Sequence, residues 1–337
     1  MKSPIKRAMV MAAGLGTRLS PFTNFQTKAL LPVMGVPIAQ YAVDSLVYAE
    51  VEQLVVNVHH QGTQVSEGMA ALDHGSSRLM ISDESRQLLG SAGGIKKAVS
   101  IFGSNPFYLV NADVLCDVNW SELAACHQRL REKFGVVLTL TVFLSGPPGA
   151  KYREIHFDSA KGLITSLGEL VEGRPYFIGA AILEPEALSA VPEGVPSDFV
   201  ESVLRPAIST NRAGVSVSQG PWFDMGDPKL WLKTHLTVIE MMEQRNGRVN
   251  SGSSSHWNER VVARAVQNNL RLSEGIWTSR NSVVGDWSKW AQPCYWNANQ
   301  QITAPQTLGP KAVLYGPCVE GKEYNRGIGF GGKWVEI

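Results

Sequence analysis

Short apolar runs alternate with helix-like patterns over the first third of the chain. Apolar positions at helical spacing predict a helix over 37–50, and similar patterns predict helices over 61–72 and 93–100. Continuous apolar runs predict strands, which lie at 8–13, 53–58, 79–82 and 107–111. This alternation is typical of βαβ units, so the predicted fold class is α/β, with a mainly parallel sheet flanked by helices.

The pattern changes after Gly135. Further strands are predicted at 136–144, 155–157, 162–167 and 176–183, and a helix is predicted over 228–244. Residues 246–255 are rich in Gly, Ser and Asn, which is typical of a linker. We therefore expect a Rossmann-like domain over 1–245, a linker over 246–255 and a smaller β-rich region over 256–337.

The expected C-terminal region is rich in tryptophan. It holds six of the nine tryptophans: Trp257, Trp277, Trp287, Trp290, Trp296 and Trp334. Short β-like segments lie at 281–284 and 311–315, without a six-residue period regular enough to predict a long β-helix. Crowded tryptophans can form a binding or oligomer surface, but a small compact core is the favoured interpretation. The sequence assigns this region no chemistry and leaves homo-oligomer formation open.

Composition excludes several classes of protein. The 337 residues include 31 Lys and Arg against 30 Asp and Glu, so no overall charge favours nucleic acid or an anionic membrane. The cysteines lack a CxxC pair, which argues against a zinc site and a disulfide framework; they are Cys116, Cys126, Cys294 and Cys318. No apolar run approaches the roughly 18 residues that span a bilayer. We expect a cytoplasmic protein with no nucleic-acid or membrane partner.

A glycine turn follows the first predicted strand. Gly14 and Gly16 allow successive N–H groups to form a concave anion-binding nest, and Arg18 and Lys28 add positive charge. The turn lacks the third glycine of the dinucleotide fingerprint, and no Gly-Lys-Ser/Thr follows as in a P-loop. It is therefore a different phosphate cradle, suited to a nucleoside triphosphate.

The segment from Gly14 to Pro37 resembles the signature of the sugar-phosphate nucleotidyltransferases. That signature reads approximately G-x-G-T-R-L-x-P-x-T, followed by K-x-L-L-P-V-x-G-x-P, and both halves are present here. Members of the family join a nucleoside triphosphate to a sugar 1-phosphate, giving a nucleoside-diphosphate sugar and pyrophosphate. The resemblance implies this activity, with UTP or GTP as the favoured donor and Mg²⁺ as the cofactor.

The resemblance also implies roles for individual residues. Arg18 would clamp the β- and γ-phosphates, Lys28 would act as a point charge, and Asp113 would complete the catalytic set. Residues 88–94 resemble the family's L-G-T-A-G loop, which approaches the base and ribose. The candidate nucleotide-binding residues are Met11, Ala13, Gly14, Gly16, Thr17, Gly90, Gly93 and Asn111.

Two aspartates resemble the family's magnesium ligands. Asp113 lies in an N-x-D element, and Asp224 lies in a W-x-D-x-G element that ends at Gly226. Two carboxylates suit Mg²⁺, which otherwise binds water and phosphate oxygens. Alternatively, each aspartate caps a turn or a helix. Of the neighbouring aspartates, Asp117 is a competitor and Asp227, before Pro228, is predicted to cap a helix.

The match to the family weakens on the sugar side. The lysine of a Glu-Lys-Pro element and the asparagine of an Asn-Ala-Gly element are absent, which leaves Glu169 and Gly179 as sugar candidates. The phosphate charge would then be met by Arg174, Lys151, Arg153 or Arg205. Residues 57–60, 176–183 and 196–199 are similar to shorter relatives that activate N-acetylmuramate or heptose 1-phosphates. His59 and His60 are interpreted as structural.

Two other functions stay open on the sequence. One is a non-catalytic regulatory relative that binds nucleotide sugars, although the presence of Arg18, Lys28, Asp113 and Asp224 together argues against it. The other is nucleotidyl transfer to a non-sugar acceptor such as phosphocholine. The base itself leaves no residue-type signature, because backbone groups usually hold it.

Overall fold

A computed structural model describes residues 5–146, 151–247, 256–280, 282, 288–297, 305, 307–316 and 322–337. The chain divides into two compact units. Unit 1 comprises Met1–Gly14 and Ala42–Trp222, and unit 2 comprises Leu15–Tyr41 and Phe223–Ile337. Most of the predicted linker, Trp287, Cys318 and most of the strand predicted at 281–284 lie outside the described residues.

Strands and helices alternate in the first part of unit 1. The strands are β1 (Arg7–Met11), β2 (Pro32–Val33), β3 (Val36–Pro37), β4 (Gln53–Val58), β5 (Arg78–Asp83), β6 (Phe107–Asn111), β7 (Val114–Cys116), β8 (Leu138–Phe143), β9 (Tyr152–Asp158), β10 (Leu163–Val171), β11 (Tyr176–Leu183), β12 (Ala213–Val217), β13 (Trp222–Asp224), β14 (Asn269–Ser273), β15 (Ile276–Ser279), β16 (Cys294–Asn297), β17 (Ala312–Tyr315), β18 (Gly327–Phe330) and β19 (Lys333–Glu336). The α-helices are α1 (Ile38–Tyr48), α2 (Gly62–Ala70), α3 (Gly90–Phe102), α4 (Trp120–Phe134), α5 (Arg205–Ser209), α6 (Pro228–Gly247) and α7 (His256–Asn268). Within the ranges that the structure describes, β8–β11 and β14–β19 follow one another without an α-helix between them.

Unit 1 contains one large sheet. Its strand order over the described residues is β5-β4-β1-β6-β11-β8-β12-β10-β9. The four strands from β5 to β6 run parallel, as predicted. In the other half, β11 is antiparallel to both β6 and β8, and β10 is antiparallel to both β12 and β9. The predicted α/β class is confirmed, but the sheet is mixed and not mainly parallel, because β11 and β10 are each antiparallel to both of their neighbours.

The apolar runs of the sequence form the core of unit 1. The buried cluster joins Met9 and Val55 on the parallel strands to Leu109, Leu140 and Ala181 on the following ones. Strands buried on both faces read as continuous apolar runs, which explains why β4, β6 and β11 have the predicted bounds. Helix α4 has a weaker signal because its apolar positions are separated by charged residues, and the sequence reading omitted it.

Strands β15–β18 of the C-terminal region form stacked parallel rungs, and β14 and β19 add antiparallel strands at the two ends. In the described part of the chain, Ile276 pairs with Cys294 and Cys294 pairs with Ala312, so these two rungs are 18 residues long, whereas the next rung, from Ala312 to Gly327, is 15 residues long. A second series of parallel bridges joins Trp290, Leu308 and Tyr324. We call β14–β19 the coil. A rung of 18 residues equals three hexapeptides, but irregular residue types hide the period in the sequence.

Tryptophans fill the interior of the coil. Trp290 and Trp296 are buried together with Cys294, Leu308 and Leu314. Trp277 lies outside this cluster, and its indole N–H donates to Glu243 on α6 at 2.6 Å. The compact-core interpretation of the tryptophans therefore holds for Trp290 and Trp296.

The described cysteines are free thiols. Cys116, Cys126 and Cys294 form no disulfide. Burial raises the pKa of the Cys116 and Cys294 thiols to about 12, so both stay protonated at neutral pH. They act as small apolar side chains in the two units.

His235 is a fully buried histidine in the middle of α6. Its Nδ1 lies 2.9 Å from the Trp231 carbonyl, which can only accept a hydrogen bond, so Nδ1 carries the proton. Nε2 then accepts from the Tyr315 hydroxyl at 2.6 Å. Burial lowers the pKa of His235 from 6.5 to about 4, partly offset by the bond to Trp231. The imidazole is therefore neutral in the folded protein.

We predict that His235 makes stability depend on pH. Below pH 6.5 the unfolded chain protonates this histidine, whereas the folded protein does so only near pH 4. The unfolded state therefore binds more protons in this window, and the free energy of unfolding falls by about 3 kcal/mol as the pH is lowered. Chemical denaturation of the wild type and His235→Gln across this range measures the effect. An equally steep pH dependence in the variant would contradict it.

Candidate active site

The first part of the glycine loop starts at the carboxyl end of three adjacent strands. In register, Met11 of β1 lies beside Asn57 of β4 on one side and Asn111 of β6 on the other. The Ala12 N–H donates to Asn57 Oδ1 at 2.9 Å, and the Ala112 N–H donates to the Met11 carbonyl at 3.1 Å. Ligands bind at this edge in open parallel sheets, and Met11 and Asn111 both lie there; their contact with a nucleotide stays a prediction.

Glu84 stabilises the carboxyl-end edge of the parallel strands, and the sequence analysis did not predict it. Its buried carboxylate accepts from Asn57 Nδ2 at 2.8 Å and from the Leu89 N–H at 3.1 Å. His59 Nδ1 lies 2.7 Å from the Glu84 carbonyl, which agrees with its structural interpretation. Glu84 therefore connects the start of the glycine loop to the loop at 88–94. Its only sequence signal is an acidic residue directly after a strand.

The glycines of the 88–94 loop face a segment of the protein itself. A Cβ on Gly90 would lie 2.7 Å from the Ser197 carbonyl oxygen, and one on Gly93 would lie 2.8 Å from that of Val195. The Ala92 N–H donates to the Ser197 carbonyl at 2.9 Å. Both glycines are thus required by close packing at the start of α3. Their contact with a nucleotide stays a prediction.

Asn111 and Gly179 meet on the paired strands β6 and β11. Gly179 has a φ of +82°, and a Cβ there would lie 2.8 Å from Asn111 Nδ2. Only glycine suits this position because it has both a positive φ and no free space. Asp113 follows Asn111 in the turn between β6 and β7 and is half-buried. The structure therefore brings Asn111 and Gly179 together, with Asp113 close in sequence.

An aromatic cluster, which the sequence reading missed, lies beside this point in unit 1. Tyr152 and Tyr176 stack with ring centroids 4.7 Å apart, and the Trp222 ring lies 5.0 Å from Tyr176. The Trp222 indole donates to the Ile178 carbonyl at 3.0 Å, one residue before Gly179. The three rings pack on one another next to Gly179, with Tyr176 buried and with Tyr152 and Trp222 half-buried.

The basic candidates on the sugar side differ in their surroundings. Arg205 pairs with Glu201 at 2.9 Å along one helical face, and Arg153 donates to the Gly168 carbonyl at 3.1 Å. Arg174 lies 3.8 Å from Glu154, a carboxylate that the sequence reading omitted. Glu169 is exposed. Two of these arginines, Arg205 and Arg174, pair with a glutamate. The distance in the Arg174 pair is the longer one, 3.8 Å against 2.9 Å.

In unit 2, the signature residues pack on one another. The Gly16 carbonyl accepts from the Leu19 N–H at 2.9 Å and from Thr23 Oγ1 at 3.2 Å. Gly16 has a φ of +65°, and a Cβ there would lie 2.9 Å from Thr23 Cγ2 and 3.1 Å from Lys28 Cβ. The spacing of Gly16, Thr23 and Lys28 in the signature therefore reflects a compact loop. By contrast, a Cβ on Gly14 would meet nothing within 4 Å among the described residues.

The side chains of Arg18 and Asp224 both lie against one buried glycine, Gly226. A Cβ on Gly226 would lie 2.9 Å from Asp224 Oδ2 and 3.2 Å from Arg18 Nη1. The predicted phosphate clamp and one predicted metal ligand are thus brought together within unit 2. The neighbouring Asp227 accepts from the Leu230 N–H at 2.9 Å, which is the predicted helix cap at the start of α6.

Aspartate carboxylates are the predicted ligands for a magnesium ion that also binds phosphate. Among the described residues, no group of three or more His, Cys, Asp or Glu side chains could hold a metal ion by itself. Mg²⁺ is usually held by one or two carboxylates together with substrate phosphates. The two candidate carboxylates belong to different units, Asp113 to unit 1 and Asp224 to unit 2, and their role as metal ligands stays a prediction.

Comparison with known proteins identifies the family. The nucleotidyl transferase family model matches residues 7–240. An N-acetylmuramate alpha-1-phosphate uridylyltransferase from Caulobacter vibrioides is 32% identical over 250 residues, covering 71% of this chain and 100% of the relative. A mannose-1-phosphate guanyltransferase from Aspergillus oryzae is 28% identical over 247 residues, covering 72% of this chain and 67% of the relative.

The fold agrees with solved structures. UDP-glucose pyrophosphorylase from Acinetobacter baumannii superimposes with a TM-score of 0.56 at 18% identity, covering 69% of this chain and 93% of that one. The chain belongs to the nucleotidyl transferase family, and within it to the sugar-phosphate nucleotidyltransferases. It is therefore an enzyme. None of the described helices has the length and apolar character needed to cross a membrane.

We predict that Gly226→Ala impairs activity with little loss of stability. The new methyl group would displace the ends of two flexible charged side chains, Asp224 and Arg18, rather than backbone. Misplacing such groups lowers kcat/KM by about 10- to 100-fold. Steady-state kinetics and thermal denaturation measure the two effects.

Gly62→Ala is the matched control for this substitution. Its Cβ would make an ordinary contact of 3.6 Å with Val58, so both activity and stability are expected to stay close to wild type. Wild-type kinetics in Gly226→Ala would contradict the placement of Arg18 and Asp224 in the active site.

Proposed function

We propose that the protein transfers a nucleotidyl group from a nucleoside triphosphate to a sugar 1-phosphate, releasing pyrophosphate. The observation that carries the proposal is the placement of Arg18 and Asp224 around Gly226 beside a signature loop that packs on itself. UTP and GTP are the favoured donors, because the relatives named above are a uridylyltransferase and a guanyltransferase. We infer a cytoplasmic enzyme whose partners are these two substrates.

The reaction is an in-line displacement at the α-phosphorus. A phosphate oxygen of the sugar 1-phosphate forms the new bond to that phosphorus, and the bond to the oxygen bridging the α- and β-phosphates breaks. Because the nucleophile is already an anion, no general base is needed. The protein must instead position the two phosphates and neutralise charge on the leaving pyrophosphate.

The chain supplies fixed donors and cations for this task. We assign the N–H groups of Ala13, Gly14, Gly16 and Thr17 to the triphosphate, and the open space at Gly14 supports a close approach. Arg18 would clamp the β- and γ-phosphates with its planar fork, and Lys28 would act as a point charge. These groups hold the leaving pyrophosphate.

Asp113 and Asp224 would hold Mg²⁺. When bound, the ion would neutralise phosphate charge that the arginine and lysine leave unmatched. Both aspartates are half-buried, so they can bind a hydrated ion together with substrate oxygens.

The acceptor side is proposed from unit 1. The walls would be the aromatic cluster of Tyr152, Tyr176 and Trp222, with Gly179 offering its backbone and Glu169 accepting a sugar hydroxyl. Of the basic candidates, Arg174 is favoured for the sugar phosphate because its pairing with Glu154 is the looser one. N-acetylmuramate and mannose 1-phosphates are the first acceptors to test.

The test is a pyrophosphate-release assay with Mg²⁺. The four ribonucleoside triphosphates and dTTP are each combined with a panel of sugar 1-phosphates and with phosphocholine. We expect release with UTP or GTP and one sugar 1-phosphate. Release with phosphocholine alone would favour the other acceptor class, and silence across the panel would contradict the proposed activity.

Asp113→Asn tests the assignment of the metal ligand. We expect the substitution to reduce turnover by about 100-fold or more while thermal stability is retained, because the variant loses a charged oxygen donor. Asp117→Asn is the matched control and should keep activity. Near wild-type turnover in Asp113→Asn would overturn the assignment.

A further inference from the structure

The hairpin of β2 and β3 follows Lys28 and contains a tight turn. Its two central residues both have positive φ angles, 50° at Met34 and 75° at Gly35. This conformation is sterically strained at Met34, because the left-handed backbone region is unfavourable for residues with a side chain. Only two residue pairs join the strands, Pro32 with Pro37 and Val33 with Val36. Something besides the hairpin ladder must therefore stabilise the turn.

Side chains hold the backbone of this turn at four successive residues. The Pro32 carbonyl accepts from Trp231 Nε1 at 2.8 Å, and the Val33 carbonyl accepts from the Tyr41 hydroxyl at 3.1 Å. The Met34 carbonyl accepts from Asn269 Nδ2 at 2.7 Å, and the Gly35 N–H donates to the Tyr315 hydroxyl at 3.2 Å. Two of these groups, Asn269 and Tyr315, belong to the coil.

The hydrogen-bonding roles around Tyr315 are fixed. His235 presents an unprotonated Nε2, so the Tyr315 hydroxyl donates its proton there at 2.6 Å. Its oxygen is then an acceptor for the Gly35 N–H. Asn269 is held in a similar way, because its Oδ1 accepts from the Tyr295 hydroxyl at 2.9 Å and its Nδ2 is directed at the Met34 carbonyl. Both coil side chains are buried, so water does not replace them.

The turn is connected to Lys28 by a short, hydrogen-bonded segment. Lys28–Leu30 form one 3₁₀ turn, and the N–H groups of Leu30 and Leu31 donate to the Thr27 carbonyl at 3.0 and 3.1 Å. The Ile38 N–H then donates to the Leu31 carbonyl at 3.0 Å, which closes the hairpin on this segment. Displacing the Met34–Gly35 turn would therefore displace Lys28.

We propose that Tyr315 and Asn269 are positioning residues for nucleotidyl transfer: through the Met34–Gly35 turn, the coil holds Lys28 where the triphosphate binds. The inference rests on the proposed function. Asn269 and Tyr315 lie outside the family match at residues 7–240, and the Caulobacter relative is covered completely by 71% of this chain. The coil is thus a part of the active-site scaffold that the family match does not include.

The test is Tyr315→Phe, which keeps the ring and removes the hydroxyl. We expect kcat to fall and KM for the nucleoside triphosphate to rise, with a combined effect of about 10- to 100-fold. KM for the sugar 1-phosphate should change less than about twofold, because Lys28 contacts only the nucleotide in this account. A loss of stability alone would not produce this split.

Thr278→Val is the matched control. It also removes a buried hydrogen bond from the coil, between Thr278 Oγ1 and the Trp296 carbonyl, without touching the turn. It should leave both KM values and kcat near wild type. Asn269→Leu is the second variant, for use if Tyr315→Phe does not fold. It removes the hydrogen bond to the Met34 carbonyl in the same turn.

Hydrogen exchange separates failure of this inference from failure of the proposed function. Amide exchange of a peptide spanning 28–40 needs no substrate, and Tyr315→Phe should speed it whereas Thr278→Val should not. Unchanged exchange or unchanged kinetics in both Tyr315→Phe and Asn269→Leu would overturn the proposal. If the wild type is inactive with every substrate pair, the proposed function fails and faster exchange still supports the anchoring of the turn by the coil.

Discussion

The charge of a nucleoside triphosphate is the constraint around which the predicted site is built. A folded chain stabilises that charge best with hydrogen-bond donors that are already fixed. Flexible side chains would lose conformational entropy on binding, and this loss would offset much of the favourable electrostatic free energy. Glycines meet this constraint in different ways here. Gly14 leaves open space, Gly16 allows the loop to pack on Thr23 and Lys28, and Gly226 lets Arg18 and Asp224 lie close together.

Fixing the cations requires support from distant parts of the chain. Lys28 follows the loop, and the hairpin behind it is too short to hold its own turn. Hydrogen bonds to the backbone of this hairpin come from Trp231 of α6 and from Asn269 and Tyr315 of the coil. This arrangement explains why contacts group Leu15–Tyr41 with the C-terminal part of the chain and not with its neighbours in sequence.

The sequence predicted the strands of the parallel half because buried strands leave continuous apolar runs. The bounds of β4 and β6 agree with those runs, as do those of β11 in the other half of the sheet, which is also buried. Tertiary partners were harder to predict. Glu84 and Tyr315 act through contacts 27 residues and more away in sequence, and no local pattern marks them. The 18-residue rung of the coil was also hidden, because Ile276, Cys294 and Ala312 share a position but not a residue type.

A crystal structure with Mg²⁺ and a non-hydrolysable analogue of UTP or GTP tests the central claim most directly. We predict that the triphosphate contacts the backbone of residues 13–17, with Arg18 and Lys28 on its β- and γ-phosphates and Asp224 bound to the metal. A triphosphate bound away from Gly14 and Arg18, or a metal held without Asp113 and Asp224, would contradict it.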